Sequence, residues 1–175
     1  DKTADPEAEA LLQPYKDKID QVKNTPTEGV AAKALTSPRD GGDITKPSVR
    51  KNETELGNLI TDAMLDKAKE FNSSTVMAFQ NGGGIRADIN EGPITLGEIL
   101  TVLPFGNTLA TMELTGADIK EALEHSVRLV PSENGGFLHV AGMRFTFDST
   151  KVAGDRVKTM EVKQSDGSYA PIDLT

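Results

Sequence analysis

The chain of 175 residues contains no cysteine and no tryptophan, and only two histidines, His125 and His139. Without cysteine, disulfides and thiolate metal sites are excluded. The two histidines are far apart and lack metal-type spacing, so no cluster of the kind that holds catalytic zinc or a metal pair is visible. No apolar run reaches the roughly 18 residues that a membrane-spanning helix needs. A surplus of positive charge is also missing. The net charge is −8, and no basic stripe occurs, which argues against a nucleic acid polymer as partner. A small anion remains possible wherever a few arginines converge, because the local field outweighs total charge. The first residues, Asp1-Lys2-Thr3-Ala4-Asp5, show neither a basic n-region nor an apolar h-region, so no signal peptide is expected within them.

What is present is a mixed pattern. Residues 6–24 read as a helix, capped by Asp5 and begun by Pro6, with Leu11, Leu12, Tyr15, Ile19 and Val22 at helical spacing. Pro14 predicts a kink or break near Gln13. The apolar face is narrow, which suits docking on something outside the chain. Residues 25–52 are rich in turn formers, with one short strand expected around Gly29–Leu35 and a loop at Ser37–Asp43. Asn52 and Glu55 suggest a capping box for a second helix reaching Phe71. A short buried strand follows at Thr75–Gln80. Thr95 with Glu98 caps a brief helix, Leu109–Leu114 reads as a strand, and Thr115 caps a helix over Gly116–Val127. Strands are expected at Leu138–Val140, Met143–Phe147, Val157–Val162 and Tyr169–Ile172, with Asp166-Gly167 as a hairpin turn. Helices alternating with strands and then strands alone define a mixed α/β domain.

Three places carry candidate chemistry. Asn81-Gly82-Gly83-Gly84-Ile85-Arg86 follows directly on a hydrophobic strand. Consecutive glycines cost chain entropy and make sense where a ligand or another backbone comes close, which marks Gly83 and Gly84. Asn81 offers an amide that both donates and accepts, and Arg86 a planar cation suited to phosphate or a hydroxyl pair. The missing Gly-Lys-Ser/Thr ending rules out a P-loop. The residues alone leave open a tight turn with a solvated Arg86. Phe105, between Pro104 and Gly106, can stack on a nucleobase or plug the edge of the core. Arg50 stands just ahead of a helix start, where free N–H groups favour an anion. His125 reads as a packed helix residue, and Asp88, Asp118 and Asp148 as structural.

Glu55-Leu56-Gly57-Asn58-Leu59, the Asn81–Arg86 motif, Leu103-Pro104-Phe105-Gly106, Leu114-Thr115-Gly116, Glu124-His125-Ser126-Val127, Gly136-Phe137-Leu138 and Val140-Ala141-Gly142 follow one another in this chain. In that order they resemble the C-terminal domain of 5′-nucleotidases, whose relatives include UDP-sugar hydrolases and 2′,3′-cyclic-nucleotide phosphodiesterases. The resemblance covers roughly residues 48–175. It implies a layered α/β/β/α substrate-binding domain over 28–175, incomplete at its C-terminus, with residues 1–27 as interdomain helix and tail. It further implies that Arg50 and Arg86 contact phosphate and ribose, that Asn81 bonds the base, and that Phe105 stacks on it, with Gly83 and Gly84 in the same site. A second stacking aromatic and a ribose-binding Asp are expected beyond Thr175, so the base sandwich is half present. The catalytic groups, two divalent ions of zinc or manganese type, are expected in an N-terminal metallophosphoesterase domain that this chain lacks. No cofactor is expected in the chain itself, and it should be inactive alone. An extracellular, periplasmic or wall-associated location follows from the same resemblance. A stand-alone nucleotide-binding module and an adhesin reusing the fold are the competing readings.

Overall fold

The computed structural model describes residues 5–175; the stretch Asp1–Ala4, on which the signal-peptide expectation falls, lies outside the described residues. Helix α1 (Pro6–Lys23) begins where expected, with the Asp5 carboxylate accepting from the Glu7 and Ala8 amides. The expected break at Pro14 does not occur, and the helix runs through it. Proline removes only the bond to the carbonyl one turn back, and on a wholly exposed helix water can satisfy that carbonyl. No residue of α1 is buried. Its C-terminal end is the anchored part. A Cβ on Gly97 would stand 2.7 Å from the Lys23 carbonyl oxygen, so only glycine lets this end of α1 settle on the later helix.

Strand β1 (Pro26–Ala31) starts ahead of the expected strand and crosses the boundary expected between 27 and 28. Leu35, its expected end, instead forms an isolated bridge with Ile89. Helix α2 (Glu55–Phe71) is capped by Thr54, whose hydroxyl accepts from the Gly57 amide, and not by Asn52. The Asn52 side chain turns back to accept from the Ser48 amide, closing the loop before the helix. Strand β2 (Ala78–Asn81) passes into a single 3-10 turn over Gly82–Gly84. Strand β3 (Gly92–Thr95) pairs with β1, and α3 (Leu96–Val102) follows with the full Thr95/Glu98 capping box. Helix α4 (Gly116–Val127) has the equivalent box from Thr115 and Asp118. Strands β4 (Leu138–Ala141), β5 (Met143–Phe147), β6 (Val157–Lys163) and β7 (Tyr169–Pro171) complete the chain, and Gly167, at φ +85°, makes the expected hairpin turn between β6 and β7.

The sheets are small: β1 with β3, β2 with β4, and the meander β5-β6-β7. Ladder β2-β4 is the centre. Ala78 lies opposite Ala141 and Gln80 opposite His139, and this face meets α2 through Leu65. The alternate residues Phe79, Val140 and Leu138 face the other way, against Ile119 and Leu123 of α4 and Met143 and Met160 of the meander. The period of two in a strand thus serves two hydrophobic layers.

The segment Leu109–Leu114, expected as a strand, is not one. Its residues are exposed, and among the described residues no backbone neighbour bonds to it. Alternating apolar residues make a strand only where a partner strand supplies the hydrogen bonds.

Candidate functional site

Two residues with no exposed surface, Val49 and Ile85, belong to the same core cluster as Leu56, Ile60 and Val102. Each stands immediately before an arginine. Burying such side chains contributes on the order of 1.5–3 kcal/mol apiece, so Arg50 and Arg86 leave one well-fixed patch of core. The glycine turn locks the arrangement. A Cβ on Gly82 would lie 2.2 Å from the Val49 carbonyl oxygen and 3.3 Å from the Arg50 Cα. A Cβ on Gly83 would lie 2.8 Å from the Gly135 carbonyl oxygen, and one on Gly84 would lie 2.4 Å from Gln80 Nε2. The three glycines therefore admit other parts of the protein: the Arg50 segment, the 135 loop and the Gln80 amide.

A third guanidinium joins them. Arg39 donates from Nη2 to the Ile85 carbonyl at 2.8 Å, and Arg86 donates from Nη1 to the Gly83 carbonyl at 3.4 Å. The pKa of Arg39 is lowered, first by burial and then by repulsion from Arg50 and Arg86; Glu133 and Asp88 oppose the shift. Arg50 Nε is buried with no hydrogen-bond partner in the protein. Buried polar atoms are normally satisfied, and Arg50 and Arg86 both stand close enough to Arg39 to lower its ionisation. Chemically, this corner suits a phosphate or a pair of hydroxyls.

Asn81 is exposed at the end of β2. Its Nδ2 donates to the Gly135 carbonyl at 3.0 Å, and its Oδ1 accepts from Gln80 Nε2 at 3.2 Å. One amide hydrogen and one oxygen lone pair stay available, the complement of a base edge. Phe105 is 53% exposed. It lies on the wall of an apolar groove of about 630 Å³ that also reaches Gln80 and Gly84 and that no arginine lines. Gln80 bridges this groove to Asn81. The sequence-derived residues thus fall into a polar corner of Arg50, Asn81 and Arg86 around Gly83 and Gly84, and an aromatic wall at Phe105.

Sequence reasoning passed over Arg39, placing it in a turn-rich loop. Its neighbours Pro38 and Gly41 signal a turn, and nothing in its spacing from Arg50 announces that Val49 N–H will bond to the Pro38 carbonyl and bring the two arginines together. In the loop Glu133–Phe137 the sequence marks only Gly136 and Phe137, and those by the resemblance alone, although the loop touches every polar segment of the site. Its Gly135 carbonyl accepts from Gly83 N–H, its Phe137 carbonyl from Gly82 N–H, and Asn134 N–H donates to the Arg50 carbonyl. The Glu133 carboxyl is held below its ordinary range. Burial pushes it up, but hydrogen bonds from the Ser48 hydroxyl and the Asp40 amide, with Arg39 nearby, outweigh that. Asp40 is held low by the Lys51 ammonium, a buried pair at 2.7 Å.

Beneath the site, His139 is almost fully buried and its Nε2 lies 2.9 Å from the Val49 carbonyl oxygen. Burial lowers its pKa more than that bond and Glu53 raise it, so the ring is held neutral. Nδ1 then faces Gly57 of α2, unpartnered, where a Cβ would stand 2.0 Å away. Among the described residues, no three His, Asp or Glu side chains gather where they could hold one metal ion. The donor set of a metal pair is not assembled among the described residues.

The result is a small-sheet α/β domain that carries a glycine turn between clustered arginines, with an exposed Phe on the adjoining loop. The chain is a member of the 5′-nucleotidase C-terminal domain family, whose sequence profile matches residues 30–175. It is 43% identical over 168 residues to a trifunctional nucleotide phosphoesterase of Bacillus subtilis, covering 96% of this chain and 11% of that protein. It is 35% identical to a cell wall protein of Listeria monocytogenes, covering 94% of this chain and 21% of the other. The crystal structure of a 5′-nucleotidase precursor from Thermus thermophilus superposes with a TM-score of 0.80 at 43% identity, over 95% of this chain and 31% of that one. The chain therefore spans a tenth to a third of the proteins it matches.

Proposed function

We propose that this chain is the nucleotide-recognition domain of a phosphoesterase whose catalytic groups lie in a separate domain. The observation that supports this best is the polar corner: three guanidinium groups around one glycine turn, one of them with a buried N–H that no protein atom satisfies. The arginines take the phosphate and ribose, Asn81 takes the base edge, and Phe105 stacks on the base. None of these side chains is placed to move a proton or attack phosphorus. Their contribution is orientation, which lowers a barrier by holding the reacting group in place.

The catalytic domain of this reading lies upstream and would hold two divalent metals, which would supply an activated water and charge stabilisation at the phosphoryl group. Helix α1 supports it. Leu11, Tyr15 and Ile19 are all more than half exposed on a helix that buries nothing within this chain. A separate domain packing there would cover them. The substrate class is a nucleoside carrying a phosphate, with 5′-nucleotides first and cyclic nucleotides or nucleotide sugars as the variants that the same corner admits. A location outside the cytoplasm fits the wall-associated relative. The chain on its own is expected to bind weakly and to hydrolyse nothing.

The test is a titration of the purified chain with adenosine 5′-monophosphate followed by NMR. Shifts at the Arg50, Asn81 and Arg86 amides are expected, weakened in Arg50→Ala and Arg86→Ala. Shifts scattered elsewhere, or unaffected by either substitution, would exclude this corner as the binding site. Nucleotide hydrolysis by the chain with added manganese would overturn the division of labour.

A further inference from the structure

We infer that Glu133 is a positioning residue that sets the spacing between Arg39 and Arg50, and so determines how strongly the site prefers a phosphorylated ligand over the bare nucleoside. This rests on the recognition reading above and deepens it. Glu133 Oε1 accepts from the Asp40 amide at 2.9 Å and from the Ser48 hydroxyl at 2.5 Å. Asp40 directly follows Arg39. Ser48 Oγ in turn accepts from the Arg50 amide at 3.1 Å. One carboxylate oxygen therefore ties the backbone behind one arginine to the backbone at the other. The neighbouring Asn134 amide bonds to the Arg50 carbonyl at 3.0 Å, so Arg50 is gripped on both sides of its Cα from a single loop.

The brace has a load to bear. Arg39 and Arg50 carry like charges, and repulsion from Arg50 adds to burial in lowering the ionisation of Arg39. The segment joining them is exposed over residues 41–47, with Gly41 and Gly42 at positive φ, and its ends are tied by the Val49 N–H to Pro38 carbonyl bond and the buried Asp40–Lys51 pair. Those ties lie within the loop, and Glu133 fixes it from outside; without that brace the like charges would sit further apart whenever no anion lies between them, and a phosphate would have to draw them together at the expense of affinity. Phe105 is not tied to this loop, so base stacking does not depend on it.

The two functions of the carboxylate are separable. Glu133→Gln keeps an oxygen acceptor for both hydrogen bonds and removes the negative charge. Glu133→Ala removes both, and Ser48→Ala cuts the link to the Arg50 amide while leaving Glu133. The affinities of the chain for adenosine 5′-monophosphate and for adenosine are measured for each variant. In Glu133→Ala the preference for the phosphorylated ligand is expected to fall about tenfold, the weight of one charge-assisted hydrogen bond. Ser48→Ala moves the same way. Adenosine affinity stays within twofold, and Glu133→Gln matches or exceeds the wild type. Equal losses for both ligands, or a Gln variant as weak as the Ala variant, would overturn the brace. Hydrogen exchange at the Arg50 amide supplies a readout without ligand. It is expected to quicken in Glu133→Ala and Ser48→Ala but not in Glu133→Gln, and unchanged exchange defeats the inference whatever nucleotide does. A wild-type chain with no preference for the phosphorylated ligand, but with the expected exchange pattern, would instead count against the recognition reading.

Discussion

Gly82→Ala sets two opposing effects against each other. Gly82 does not have a positive φ, so alanine can adopt its backbone conformation. In open space such a change stabilises a protein by about 0.4–1 kcal/mol, because alanine leaves the unfolded chain less freedom to lose. Here the added methyl would stand 2.2 Å from the Val49 carbonyl oxygen, more than an ångström inside ordinary contact. That oxygen is also the one nearest His139 Nε2, and the Gly82 amide is committed to the Phe137 carbonyl at 2.7 Å, so neither side yields without breaking a bond. Overpacking of this kind costs about 1–3 kcal/mol. The net expectation is a loss of roughly 1–2 kcal/mol, or about 2–8 °C in Tm for a domain of this size. Urea unfolding and calorimetry would measure it. Gly106→Ala is the control, because a Cβ there meets nothing within 4 Å, and it should be neutral or slightly stabilising. A Gly82→Ala variant as stable as wild type would refute the claim that the turn is glycine because the Arg50 segment docks on it.

Phe105→Ala should leave stability within about 0.5 kcal/mol, since the ring is half exposed, yet weaken nucleoside binding by about 1–3 kcal/mol; calorimetric titration separates the two, and unchanged affinity removes the stacking role. Glu124→Ala should cost about 2–4 kcal/mol, because its buried carboxylate accepts from both the Arg156 and Val157 amides and truncation orphans them; thermal unfolding reads the loss. The pH dependence of stability should carry the signature of His139. Its native pKa is lowered below 6.5, so below that pH the unfolded chain binds the proton that the native chain refuses. The contribution is complete above pH 6.5 and is lost as pH falls through the lower native value. Denaturant midpoints from pH 7 to 5 should therefore decline, and His139→Gln should flatten that decline.

The sequence made the helices legible and left the sheets partly dark, for a physical reason. Capping is local chemistry: Thr95 with Glu98 and Thr115 with Asp118 meet within one turn, and both boxes form as the residue order implies. Pairing is not local. Leu109–Leu114 alternates like a strand and has no strand partner among the described residues, whereas β1 finds β3 across more than sixty residues that give no sign of it. The same distinction divides the candidate site. Asn81, Arg86 and Phe105 sit in short motifs with unusual neighbours and stand out by composition. Arg39 and Glu133 sit in ordinary polar loops and become relevant only when Val49 bonds to Pro38 and Ser48 to Glu133.

One consequence concerns the glycines. A triple glycine ahead of an arginine invites the reading that a ligand presses against bare backbone. In the folded chain each missing side chain is matched by protein: the Val49 carbonyl, the Gly135 carbonyl and the Gln80 amide. The turn is a junction where the elements carrying Arg50, Asn81 and the 133–137 loop pass closer than Cβ atoms permit. On the proposed reading, recognition falls to the side chains that project from the junction, and their spacing depends on the protein contacts that the glycines admit. A substitution at Gly82 or Gly83 should accordingly disturb binding through the placement of Arg50 and Asn81, with a matching loss of stability. A substitution at Arg86 or Phe105 should disturb binding with stability intact. Paired measurement of affinity and unfolding across these four positions separates the two groups, and a glycine variant that lost affinity at full stability would show that the ligand, after all, touches the turn.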